Sequence, residues 1–215
     1  MPVPDKLYVT TDAVTFALDA SGALCLLLVQ RANEPYRGRW ALPGGFVDED
    51  EDLPDACARE LREETGVRPA ALAQIGAWGK PGRDPRGRNV TVAYLAVARP
   101  GGADAVAGDD AASAAWHPVD SLPPMAFDHD GIARAGLERL RLLAGRTHLL
   151  FAFLPDRFDL AQLRAASQAV LGRAVSDDET AALIAHALLE AAPGPEGEER
   201  LFRRAARDFM EPLAG

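Results

Sequence analysis

A chain of 215 residues, 48% hydrophobic and 7% aromatic, carries enough apolar material for one full core built mainly from Ala, Leu and Val, plus a small appendage. Its net charge of -9 repels phosphate on average, which argues against nonspecific nucleic-acid binding and requires any nucleotide to be drawn in by a local cationic cluster or a bound metal. Cys25 and Cys57 form neither a metal-ligand spacing nor a disulfide framework, the first residues do not read as a signal peptide, and the longest strongly apolar run, Ala23 to Val29, is far below the ~20 residues that span a bilayer, so a cytoplasmic protein without membrane contact is expected.

Tyr8 to Leu18 and Ala23 to Gln30 are aliphatic and β-branched runs separated by Asp19-Ala20-Ser21-Gly22, the pattern of a hairpin. Ala41 to Phe46 reads as a tight, glycine-dependent loop. The spacing then turns helical, with Asp52 as N-cap, Pro54 in the first turn where its missing N–H costs nothing, and Gly66 as the left-handed C-cap. Residues 89 to 97 read as a buried strand and Ala114 to Pro118 as a short one. After Phe127-Asp128-His129-Asp130, Leu137, Leu140 and Leu143 recur at helical spacing. Leu160 to Leu171 and Asp177 to Glu190 are further helical patterns, the second opening on a capping box at Ser176 and Glu179. Ala191 to Gly197 breaks that helix, and Arg200 to Phe209 reads as a returning strand. Helices followed by a hairpin make a winged-helix outline, which places a domain boundary near residues 144 to 150.

The chemistry concentrates between Gly45 and Val67. At about 100° per residue, Glu60, Glu63 and Glu64 share one side of the helix. Like charges at that spacing weaken a helix unless something cationic meets them, and a hard divalent cation with oxygen ligands is the natural partner. Arg59 can pair with Glu51 through its fork and hold the glycine loop against the helix. Just beyond, Arg83, Arg86 and Arg88 form a local anion site in an acidic chain, and Arg31 to Trp40, with Tyr36, offers an aromatic surface for a base.

The segment resembles the Nudix box: Gly45, five residues, Glu51, seven residues, Arg59-Glu60, Leu61, one residue, Glu63-Glu64, one residue, Gly66 and Val67 match every defined position. The resemblance implies an α/β fold, a Nudix α/β/α sandwich with a mixed sheet over residues 1–147, followed by a small winged-helix-like α+β domain over 148–215. It also implies magnesium or manganese held by Glu60, Glu63, Glu64 and the carbonyl of Gly44, and hydrolysis of a nucleoside diphosphate derivative. Glu63, Arg59 and Glu51 are the expected catalytic and bracing residues, with Asp109, Asp110 and Asp128 as other candidates for activating water. Arg31, Trp40, Arg83, Arg86 and Arg88 are the expected substrate contacts. His117 and His129 are expected to be structural or substrate-edge residues and not metal ligands, since hard magnesium prefers oxygen.

The loop features are similar to the ADP-ribose pyrophosphatase-like branch, which implies AMP and a sugar phosphate as products and a homodimer. A Nudix domain followed by a winged helix is also similar to transcriptional regulators of NAD metabolism. Against DNA binding, residues 151–215 hold seven arginines and no lysine against eleven acids, and the helix beginning Asp177-Asp178-Glu179 has no lysine or arginine up to Glu190. The expectation from sequence is therefore an enzyme, with the appendage serving dimerisation or packing and DNA as the lesser alternative.

Overall fold

The computed structural model describes residues 6–99, 111–187, 190–191 and 202–203. In chain order the elements are β1 (Tyr8–Leu18), β2 (Leu24–Arg31), β3 (Trp40–Ala41), β4 (Gly44–Phe46), α1 (Leu53–Thr65), β5 (Pro69–Trp78), β6 (Asn89–Ala98) and β7 (Ala111–Pro118). They continue with α2 (His129–Ala144), β8 (Arg157–Phe158), α3 (Leu160–Leu171), α4 (Asp177–Ala187), β9 (Glu190–Ala191) and β10 (Phe202–Arg203); 3-10 turns cover Val119–Ser121 and His148–Phe153.

The expected hairpin forms, but only at its tip. Asp19 Oδ1 accepts from the amides of Ser21 and Ala23, Gly22 takes a positive φ, and β1 pairs with β2 from Phe16↔Leu26 to Leu18↔Leu24. Beyond that point the strands part: β4 takes the place against Thr10–Asp12, while β2 pairs with β3 and β7. On its other side β1 runs parallel to β6, and β5 closes that edge antiparallel, which makes the sheet mixed. The fork between β1 and β2 opens the space in which the glycine loop and the start of α2 meet.

Alternation along the strands feeds two apolar layers. Val14, Phe16, Leu24, Leu26, Leu28, Ala93, Leu95 and Val97 face α2, whereas Ala13, Ala17, Leu27, Tyr94 and Ala96 face α1. Helix α1 starts on Asp52, whose side chain accepts from Leu53 N, and stops on Gly66 in the left-handed conformation. It buries Ala56, Cys57, Leu61 and Thr65, and burial pushes the Cys57 thiol up to about 12. The strand β5 was not expected: its Ala-rich stretch carries little β propensity, and it is recruited by pairing along β6.

The layer on the α2 side continues into the C-terminal part without a break. The turn His148–Phe153 is fully buried, and Leu149 to Leu154, Phe158, Leu163, Ala166 and Val170 belong to the same core as the sheet. There α3 is closed by a complete capping box on Asp159 and Gln162, and α4 by the reciprocal Ser176–Glu179 bonds. Strands β8, β10 and β9 make a three-stranded sheet in that order. Two helices between a first strand and a hairpin give the winged-helix outline. Of the returning strand expected over Arg200 to Phe209, Phe202 and Arg203 are described, paired with both neighbours; the rest of it lies outside the described residues. Among the described residues no helix is long and apolar enough to cross a membrane.

Two glycines of α2 should respond oppositely to alanine. A Cβ at Gly136 would stand 2.5 Å from Val14 Cγ1, whereas one at Gly131 meets nothing within 4 Å. Gly131→Ala is expected to stabilise by about 0.5–1 kcal/mol through helix propensity, and Gly136→Ala to destabilise by about 1–3 kcal/mol through overpacking, both read from urea unfolding. A stabilised Gly136→Ala would mean that α2 and β1 are not in close contact there.

Candidate functional site

Helix α1 turns its apolar stripe to the sheet, so that Glu60 and Glu64 come to rest half-buried at the stripe's edge while Glu63 stays exposed. Arg59 organises them. Its Nε and Nη2 each donate at 2.9 Å to Glu51, its Nη1 donates to Glu60 (2.8 Å) and Glu63 (3.1 Å), and Nη2 also donates to the Phe46 carbonyl (3.0 Å). All five N–H groups of the guanidinium are used. The pairing with Glu51, first among its carboxylate bonds, raises the Arg59 pKa and holds that of Glu51 below its ordinary value. Burial outweighs Arg59 at Glu60, whose pKa is raised.

The glycine loop approaches these carboxylates as closely as a backbone can. Gly44 N donates to Glu64 Oε2 at 2.9 Å, and a Cβ on Gly44 would run into the Thr11 carbonyl. A Cβ on Gly45 would stand 2.5 Å from the Glu60 carboxylate. Both positions therefore need glycine for room.

Behind the loop lies a buried polar floor. Arg83, 5% exposed, is bonded in bidentate fashion to Asp128 (Nε to Oδ2 3.0 Å, Nη2 to Oδ1 2.6 Å) and through Nη1 to Asn89 Oδ1 at 3.2 Å. His129 Nδ1 accepts from Leu42 N at 2.9 Å, which places the imidazole proton on Nε2, and burial lowers its pKa. Asp12 faces both, 3.8 Å from Arg83 and 3.7 Å from His129.

The remaining wall is aromatic and cationic. Phe127 and Tyr36 meet edge to face at 4.9 Å, and both adopt positive φ, a conformation that costs a non-glycine residue and concentrates where side chains must be aimed. The Arg31 guanidinium lies 4.8 Å over Phe127, and Arg86 stacks at 5.6 Å on both Phe127 and Phe46. Arg86 is chelated by Asp84, whose own pKa burial would raise but the Arg86 bonds bring down. Among the described residues the Arg31 guanidinium donates to the Pro35 and Asn33 carbonyls, and burial together with Arg86 lowers its pKa. These walls and the floor enclose a cleft of about 330 Å³.

A family model described as the NUDIX domain matches residues 9–138. The chain belongs to the Nudix family. An ADP-ribose pyrophosphatase of Methanocaldococcus jannaschii is 39% identical over 109 residues, 51% of this chain and 63% of that one. An ADPR responsive transcriptional repressor of Acinetobacter baylyi is 34% identical over 167 residues, 76% of this chain and 66% of that one. The chain thus spans a little under two thirds of each of these two relatives. The crystal structure of Shewanella oneidensis NrtR superposes with a TM-score of 0.81 at 30% identity, covering 96% of this chain and 100% of that one. The same protein complexed with a 27mer DNA gives 0.77 at 29% identity over 96% and 99%. Its Nudix domain complexed with ADP ribose gives 0.58 at 37% identity over 63% and 90%.

Within this Nudix fold the sequence-derived residues fall into three groups. Gly44, Glu60, Glu64, Arg31, Arg83 and Arg86 line the cleft. Arg59, Glu51 and Glu63 form the bonded cluster beside it. Trp40 and Arg88 lie elsewhere: Trp40 packs edge-on against His117 at 4.5 Å, and Arg88 donates to the Gly79 carbonyl at 2.6 Å. Asp128 is held by Arg83, while Asp109 and Asp110 lie outside the described residues. Sequence reasoning passed over Asp12, Asn89 and Phe127. The signal for Asp12 was present, a lone carboxylate inside the apolar run of β1. The all-oxygen donors of Glu60 and Glu64 suit a hard divalent cation. Among the described residues no three His, Cys, Asp or Glu side chains converge as a ready cage, and Arg59 holds the third glutamate.

Lysine cannot reproduce the fork of Arg59. Arg59→Lys is expected to cost on the order of 2 kcal/mol in urea unfolding, and Arg59→Ala more. An alanine variant within about 0.5 kcal/mol of wild type would mean that the carboxylates are solvated without the guanidinium.

Proposed function

We propose that this Nudix protein is a nucleotide-responsive, DNA-binding regulator. In this reading the cleft takes ADP-ribose or a related nucleoside diphosphate derivative, and residues 148–215 form the DNA-binding part of a homodimer. The preference for a hydrolase that sequence alone supports is thereby reversed. One observation carries the reversal: sequence likeness to the ADPR responsive transcriptional repressor of Acinetobacter baylyi runs through 76% of the chain, whereas likeness to the pyrophosphatase stops at 51%, and structural likeness to Shewanella oneidensis NrtR, a protein crystallised with a 27mer DNA, covers 96%.

The cleft chemistry suits a diphosphate. Arg31 is the cleft guanidinium whose hydrogen bonds go to carbonyls and not to a carboxylate, so it is the one placed to give its fork to phosphate oxygens. Phe127 and Tyr36 offer a stacking surface for a base. The acidic start of α4 is also less repulsive than its sequence, because Arg164 holds Asp177 at 2.6 Å and Arg173 holds Glu179 at 2.8 Å. Phosphate contacts are assigned to the cluster Arg200, Arg203, Arg204 and Arg207, of which only the Arg203 backbone lies among the described residues.

A second reading, hydrolysis, is favoured by the intact box and by the position of Glu60 and Glu64 in the cleft. A magnesium or manganese ion held by Glu60 and Glu64, with Glu63 and the Gly44 carbonyl, would supply phosphoryl polarisation and a water of lowered pKa. The chain itself contributes Arg31 for the diphosphate and the Arg59–Glu51 pair that keeps the helix and loop in register.

The two readings separate in one pair of assays on the full chain. A labelled palindromic duplex from the protein's own genomic neighbourhood is expected to be bound at low salt, with affinity falling as salt rises, and to be released by ADP-ribose. AMP formation from ADP-ribose with magnesium is expected to be slow. Rapid metal-dependent AMP release with no duplex binding would overturn the regulator in favour of the hydrolase.

A further inference from the structure

The floor of the cleft holds an unmet carboxylate. Asp12 is fixed where β1 pairs with β4, opposite Gly44, and its side chain is 8% exposed. Its Oδ2 is buried and has no hydrogen-bond partner among the described residues. Arg83 Nη2 stands 3.8 Å from that oxygen and His129 Nε2 3.7 Å from the other, both just beyond hydrogen-bond reach. Arg83 spends three of its five N–H groups on Asp128 and Asn89. One guanidinium therefore faces two carboxylates, and its hydrogen bonds go to Asp128. His129 cannot make up the difference in charge, because its Nδ1 accepts from Leu42 N and its burial favours the neutral ring.

The chemistry that fits three such groups is a hydroxyl. A phosphate would be repelled by Asp12. A second cation would meet Arg83. A neutral hydroxyl can donate to Asp12 and accept from Arg83 or from the His129 Nε2–H. We infer that Asp12, Arg83 and His129 form a subsite that reads a ribose hydroxyl of the nucleotide ligand. The inference rests on the nucleotide reading of the cleft proposed above. Asp12 is the discriminating member, since Arg83 keeps Asp128 and His129 keeps Leu42 whether or not a ligand is present. A gap of this width would otherwise be bridged by water, so the subsite differs from a solvated ion pair in responding to the sugar.

The test is titration calorimetry of the full chain with ADP-ribose and with analogues deoxygenated on one ribose or the other, using wild type, Asp12→Asn and Asp12→Ser. Wild type is expected to bind ADP-ribose about tenfold to a hundredfold more tightly than one of the analogues, as for a hydrogen bond to a charged group. Asp12→Ser should bind ADP-ribose and that analogue alike, and Asp12→Asn, which keeps an acceptor oxygen without the charge, should retain only part of the preference. The wild-type comparison stands even if a variant does not fold. Equal binding of all ligands by wild type, or variants that keep the full discrimination, would overturn the subsite and leave the nucleotide reading intact. A folded wild type that binds none of the ligands would overturn both.

Discussion

The site depends on one guanidinium. Glu51, Glu60 and Glu63 gather around one point where the loop after β4 meets α1, and like charges three residues apart oppose helix formation. Arg59 meets that cost with five N–H groups and five hydrogen bonds, four to carboxylate oxygens and one to the Phe46 carbonyl. The same bonds tie α1 to β4 and to the loop between them. With α1 held in this way, Glu60 is pressed over Gly45 and Glu64 is fixed by the Gly44 amide, which is how a helix and a glycine loop come to share one cleft wall.

What could be read from sequence divides along the range of the interaction. Helix α1 was legible from Asp52 to Gly66 because its caps, its proline and its carboxylate face are local signals, and the pairing of Arg59 with Glu51 followed from residues eight apart. The hairpin was legible at Asp19 to Gly22 for the same reason, but the parting of β1 and β2 was not, because β4 and β3 take the edges that the two strands would otherwise share. Strand β5 escaped notice since Ala-rich sequence carries no alternation. The arginines at 83, 86 and 88 read as one anion site, yet they separate in space: two are engaged by Asp128 and Asp84, and the third bonds a carbonyl outside the cleft. Those partners stand 45 and 2 residues away for Arg83 and Arg86, and only the second was within reach of a local reading.

The division of labour among cleft cations follows from that pairing. A guanidinium already chelated by a buried carboxylate contributes little net attraction to phosphate, because the ligand must compete with a fixed negative charge. Arg83 and Arg86 therefore serve to shape the floor and to orient Phe127 and Phe46, while Arg31 keeps charge available.

Helix α2 joins the cleft to the C-terminal part. At its first turn Asp128 and His129 are bonded to Arg83 and to the Leu42 amide, both in contact with the space a nucleotide would fill. Its length of 16 residues crosses the sheet, with Gly136 seated against Val14 so that the helix cannot rise without disturbing β1. At its last turn Arg141 donates to the Val170 carbonyl and lies so close to Gly172 that a Cβ there would meet its guanidinium at 2.5 Å. Because α3 shares a core with the sheet and is not tethered by a linker, the floor of the cleft and the winged-helix outline are joined by continuous packing.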